Sequence, residues 1–162
     1  MADIDLKVNF LVHRSIVTHG FLLISFLYCF ARNKENPLLR LFTAGVSLAS
    51  AVHLCFDLFP KAWIGFALIH IPGYGRTSPV FSWLWIAVSI VVCLYLALVL
   101  TRNTFEVVVT TSSLPITFGF YATTESVFWP ALVVLTVATA VAVMLPLGSI
   151  VAFSRLRGKT AP

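Results

Sequence analysis

The sequence predicts an all-α membrane protein, with about four transmembrane helices and an interfacial or re-entrant loop after the second. Three observations point there. Hydrophobic residues make up 59% of the 162 positions and charged residues only 10%, and the mean hydropathy is +0.97, well outside the composition of soluble domains. The apolar residues fall into segments close to the ~20 residues a helix needs to cross the hydrocarbon core. Proline, glycine and charged residues gather between those segments.

The first segment, 15–31, is short, so it begins earlier or lies partly in the interface. The polar turn Arg32-Asn33-Lys34-Glu35-Asn36-Pro37 ends it and starts the second, 37–59, as a tight antiparallel hairpin. The second segment carries Thr43, Ala44, Gly45, Ser47, Ala49, Ser50 and Ala51, small residues that permit close helix approach and suit the centre of a bundle. Between it and the third span, 79–100, stand Pro60, Gly65, Pro72, Gly73 and Gly75, a stretch too broken to span and apolar enough to lie at the interface. Residues 101–126 combine a β-branched run at 107–111 with Pro115 and fit either a short hairpin or a shallow helix outside the membrane. The fourth span, 127–153, contains Pro146 and Gly148, which imply a kink or an early exit, and Arg155, Arg157 and Lys159 form a basic tail. The chain 1–162 thus reads as one integral membrane domain: a motif-bearing hairpin and loop over 1–78, then two further spans and the tail over 79–162.

The net charge of +5 comes from basic residues in flanks and loops. They form no basic and aromatic stripe, so they act as topology determinants and the partner is the lipid bilayer, with no nucleic acid. Four spans place both termini on one side with Lys7, Arg14, Lys61, Arg76, Arg155, Arg157 and Lys159, against Arg32, Lys34, Arg40 and Arg102 on the other. The positive-inside rule then puts both termini in the cytoplasm. No cleavage site follows the first apolar run, so that span is expected to remain. Cys29, Cys55 and Cys93 lie in apolar runs without CxxC spacing and read as small buried hydrophobes.

The hairpin brings His13 and His19, near the start of the first helix, level with His53 and Asp57, near the end of the second. His53 and Asp57 are i,i+4 and share a helical stripe. His13 and His19 are six apart, which places His13 on the lead-in and His19 on the helix, with Asp3 and Asp5 close enough in sequence to fold back. An N/O ligand set of this kind suits zinc, manganese or iron; the imidazoles favour zinc and the carboxylates manganese. The competing role for Asp57 is a salt bridge to Arg14 or Lys61 at the helix end. His70 has no partner at ligand spacing and is equally well a loop histidine.

Asp3-Ile4-Asp5, the block His13-Arg14 through Thr18-His19, and His53 to Asp57 resemble the Asp-x-Asp, His-Arg-x-x-Thr-His and His-x-x-x-Asp elements of a bacterial family of small inner-membrane proteins, the membrane-bound metal-dependent hydrolases. One residue more separates Arg14 from Thr18 than in the commoner form, and Gly65 with 69–72 resembles the family's glycine-containing loop. The likeness covers the first half of the chain. Family members usually carry a further N-terminal helix with another histidine before the Asp-x-Asp, whereas this chain begins Met1-Ala2-Asp3, one ligand fewer.

The resemblance implies a bacterial inner-membrane protein performing metal-assisted hydrolysis. His13, His19, His53 and Asp57 would hold one or two metal ions, Asp3 or Asp5 would be a further ligand or the general base, and Arg14 would hold an anionic group of the substrate. A phosphoester or acyl bond in a lipid-like molecule is the natural target. The alternative is a noncatalytic accessory or assembly subunit of a larger membrane complex, which keeps the metal as a structural staple. A transporter ranks third, because the spans from Pro79 onward have almost no polar residues to line a path.

Overall fold

A computed structural model of the chain describes residues 14–32, 36–58, 68–124 and 128–158, with side chains described as far as Leu145 except at Thr124. Helix α1 spans Phe21–Arg32 and α2 spans Pro37–Asp57. The start of α2 is written locally: Pro37 has no N–H to leave unbonded, and the Asn36 side chain accepts from the amides of Leu38 (3.0 Å) and Leu39 (3.4 Å). The same device opens α3, Pro79–Leu100, where the Ser78 hydroxyl accepts from Phe81 N. Helices α2 and α3 are the two, among the described residues, long and apolar enough to cross a membrane.

The first helix begins later than the sequence predicts. Residues 14–19 form a turn in which the amides of Thr18 and His19 donate to the Ser15 carbonyl, and α1 starts only at Phe21. The cause is Trp85 of α3. Its indole Nε1 donates to the His19 carbonyl (3.1 Å), and a Cβ on Gly20 would lie 2.5 Å from that nitrogen. The carbonyl that would start another helical turn is thus committed to a neighbouring helix, across a gap only glycine leaves open. His19 accordingly sits in the lead-in turn, not on the helix as its spacing suggested.

Between α2 and α3 the described part of the loop is a two-stranded antiparallel ribbon, β1 His70–Ile71 and β2 Gly75–Arg76. Gly73 (φ 81°) and Gly75 (φ 101°) supply the left-handed backbone its turn requires. The ribbon is fastened on both sides. Ile16 N donates to His70 O (2.9 Å) and His70 N donates to Arg14 O (2.8 Å), while Ile69 N donates to the Ser82 hydroxyl (3.0 Å). Residues 59–67, with Pro60, Lys61 and Gly65, lie outside the described residues.

Of the hairpin and the helix that 101–126 left open, the described residues form the helix. Helix α4 spans Thr104–Thr124, entered through the Asn103 side chain, which accepts from Glu106 N (2.8 Å). It runs parallel to α2 over its length: Glu106 meets Arg40 at one end and Tyr121 meets His53 at the other. Its hydroxyls hide their polarity by donating to carbonyls one turn back, Thr111 to Val107, Ser113 to Thr110 and Thr117 to Ser113. A segment rich in serine and threonine therefore presents an apolar outer face that residue hydropathy alone understates.

Helix α5, Trp129–Gly158, continues through Pro146 as one helix. Ala131, Leu135, Ala138 and Ala142 form its buried stripe at helical spacing. Helix α2 is the hub, packing on α1, α3, α4 and α5. Its small residues earn that position: Thr43, Ala44, Ser47 and Ala51 are all buried, and the Ser47 hydroxyl donates to the Cys93 carbonyl of α3 (2.7 Å). Cys55 and Cys93 are buried as expected, whereas Cys29 is exposed.

Candidate metal centre

The helical period of α2 carries His53 and Asp57 on one stripe, and their side chains meet, with His53 Nε2 3.0 Å from Asp57 Oδ2. The turn before α1 delivers the second imidazole. His19 is 1% exposed and its Nε2 lies 3.5 Å from the same carboxylate oxygen. The two rings are 5.7 Å apart between centroids, and the three ligand atoms fall within 4.8 Å of one another. Two ligand atoms bound to a tetrahedral zinc lie ~3.4 Å apart, given metal–ligand bonds of about 2.1 Å. Two of the three separations, the 3.0 and 3.5 Å from Asp57 Oδ2 to the imidazoles, bracket that value, and all three atoms are buried. His19, His53 and Asp57 can therefore hold a metal ion.

The far sides of both imidazoles are also engaged. His53 Nδ1 is 2.9 Å from the Tyr121 hydroxyl and His19 Nδ1 is 3.3 Å from the Thr18 hydroxyl. Each hydroxyl can accept from a ring N–H at Nδ1, the tautomer that would leave the Nε2 lone pair for a metal, as partners of metal-binding histidines commonly do. Tyr121 also packs edge-on to the His53 ring at 5.4 Å and stacks on Phe56 at 5.5 Å, so its position is set by α2. Tyr121 was not singled out by sequence, and Thr18 was named only as a position of the motif block. The stripe Leu114, Phe118, Tyr121 would have pointed to the tyrosine once 101–126 was read as a helix.

Arg14 stands on the opposite side of Asp57, with Nη2 3.6 Å from Oδ1. The helix-end salt bridge and the metal-ligand roles for Asp57 are thus compatible, because each uses a different oxygen. Arg14 has φ 62°, a left-handed conformation uncommon for a residue with a side chain, and its carbonyl accepts from His70 N. His70 is held through its backbone against the motif block, a role that its side-chain spacing did not suggest. Asp3, Asp5 and His13 lie outside the described residues.

Comparison of the chain with protein-family models, with curated proteins and with solved structures found no match.

Proposed function

We infer that this chain is an integral membrane protein in which His19, His53 and Asp57 hold a divalent cation, zinc or manganese, for hydrolysis of a phosphoester or acyl bond in a lipid-like molecule at the membrane face. The observation that carries this reading is the convergence of two imidazole nitrogens and one carboxylate oxygen, all buried. Two histidines and a carboxylate leave a coordination position for water, as catalytic zinc sites do. A cation bound there would lower the pKa of water toward ~7. Arg14 lies beside the site, where its guanidinium can hold an anionic substrate group. Asp3, Asp5 and His13 are the candidates for a further ligand or a general base.

The accessory-subunit reading shares the cation and differs in having a closed coordination sphere. Metal content of the purified protein, wild type beside His53→Ala and Asp57→Ala, is the first test. Stoichiometric metal lost in both variants supports the centre; a folded wild type without metal sinks it.

The parallel course of α2 and α4 bears on topology. A helix of 21 residues that meets α2 at both ends covers the same thickness as α2, which supports reading α4 as a further crossing and the chain as one of five crossings. The metal centre then shares its side with Lys7, Arg14, Lys61 and Arg76, and the other side collects Arg32, Lys34, Arg40, Arg102, Arg155, Arg157 and Lys159. With five crossings, seven against four favours a cytoplasmic C-terminus and a metal centre on the outer face of the inner membrane; with four, the same rule favours both termini in the cytoplasm. Tyr74, 85% exposed in the ribbon turn, reports on this. A cysteine there should react with membrane-impermeant maleimide in intact cells, and protection until lysis would reverse the orientation.

A further inference from the structure

Consecutive antiparallel helices joined by a short connection ordinarily lie side by side. Helices α4 and α5 instead pack chiefly on α2 and α3. Between them runs an apolar groove of about 620 Å³, lined by Leu114, Phe118 and Gly119 of α4 and by Leu135, Thr136 and Thr139 of α5. That volume lies within the ~300–1,000 Å³ range of small-molecule sites. The threonines do not make the groove polar. Their hydroxyls donate to their own helix, Thr136 to Leu132 O (2.8 Å) and Thr139 to Leu135 O (2.7 Å). An occupant finds hydrocarbon and few groups to bond, so a polar occupant would lose its hydrogen bonds to water without replacement.

The groove lies on the stripe of α4 that, one turn further on, packs against the metal centre. Leu114, Phe118 and Tyr121 follow at i, i+4 and i+7 on one stripe of α4. The Phe118 ring lies 5.3 Å from Phe56, Phe56 stacks on Tyr121, and the Tyr121 hydroxyl is 2.9 Å from His53 Nδ1. On α5 the lining begins at Leu132, one turn from the helix start, and ends at Ala140, a run of ~12 Å along the axis. One end of the groove is therefore near the centre and the other lies at the depth of the hydrocarbon core.

We propose that this groove seats the hydrocarbon tail of the substrate, a lipid whose alkyl or acyl chain lies between α4 and α5 while its head group reaches His19, His53 and Asp57. The inference rests on reading those three residues as a metal centre, and its test separates the two. A Cβ at Gly119, a residue of the groove wall, meets nothing within 4 Å, so Gly119→Leu starts its side chain in open space and adds bulk to the groove. Thr136→Trp does so from the other wall. The probes are acetohydroxamate and dodecanohydroxamate, metal-binding head groups without and with a tail, titrated against zinc-loaded protein in one detergent so that partition into micelles cancels.

The longer probe should bind wild type more tightly, and that advantage should fall on the order of tenfold in both variants, since each seated methylene is worth up to roughly fourfold. Zinc content and acetohydroxamate binding should not change. An undiminished tail advantage in zinc-loaded variants overturns the groove while leaving the metal centre intact. Wild type without zinc fails the metal reading instead, and a fatty acid with a terminal diazirine then decides the groove alone. Labelling concentrated at 114–119 and 132–140 and removed by Gly119→Leu keeps the tail site; uniform labelling of the helices overturns it. A dimer that Gly119→Leu dissociates would also overturn it, making a second copy of the chain the occupant.

Discussion

Tyr121→Phe deletes one oxygen and leaves the ring that stacks on Phe56 in place. Once Nε2 binds a metal, the ring proton must reside on Nδ1, from which it can be donated to the Tyr121 hydroxyl 2.9 Å away. The variant withdraws that acceptor from a partly buried imidazole, which loosens its orientation and lowers its basicity as a ligand. Removing such a partner commonly costs 10–100-fold in metal affinity, about 1.4–2.8 kcal/mol. Zinc affinity would be measured by competition with a chromophoric chelator at fixed pH, alongside helix content and thermal unfolding of the metal-free protein. The expected result is a metal affinity reduced at least tenfold, with helix content unchanged and a metal-free stability loss of about 1 kcal/mol, the net worth of one hydrogen bond. An affinity within twofold of wild type would refute the argument that α4 orients the ligand.

Thr18→Val should weaken zinc binding less than Tyr121→Phe in the same assay, because the hydroxyl it removes stands 3.3 Å from His19 Nδ1 instead of 2.9 Å. Gly20→Ala should cost about 1–3 kcal/mol of stability and displace His19, since the new Cβ would lie 2.5 Å from the Trp85 indole nitrogen. Pairing it with Trp85→Ala should restore part of the zinc affinity, and a double variant no better than Gly20→Ala alone would count against that contact. At the far end of the bundle, Arg40 donates to Glu106 (2.8 Å) and Glu106 also accepts from Arg102 N (2.7 Å). Arg40→Met alone should lower the unfolding midpoint more than Arg40→Met with Glu106→Leu, because the single change strands a charge; the reverse order would show that the bond Glu106 accepts from Arg102 N outweighs that stranded charge.

That two helices are long and apolar enough to cross a membrane was legible from composition and segment length alone, because both are properties of the local sequence. The ends of α2 and α3 were equally legible, since Asn36-Pro37 and Ser78-Pro79 act on amides within three residues of themselves. So was the His53 and Asp57 pair, which the helical period sets without reference to any other segment. Other features depended on distant residues. Helix α1 starts at Phe21 because Trp85, 66 positions after His19, claims the His19 carbonyl, and no local signal announces that. The β-branched run in α4 left hairpin and helix both open, and packing along α2 with back-bonded hydroxyls accompanies the helical outcome.

What the sequence by itself determined is therefore what short-range geometry encodes: an apolar helical chain, two capped spans, and a histidine and a carboxylate one turn apart. Only the tertiary structure decided that His19 completes the trio from a turn, that Tyr121 stands behind His53 across 68 positions, and that α4 and α5 part to leave a groove. The physical reason is range. Caps and helical periods act within one or two turns, whereas these contacts arise from side-chain fit between helices whose relative register no single segment contains.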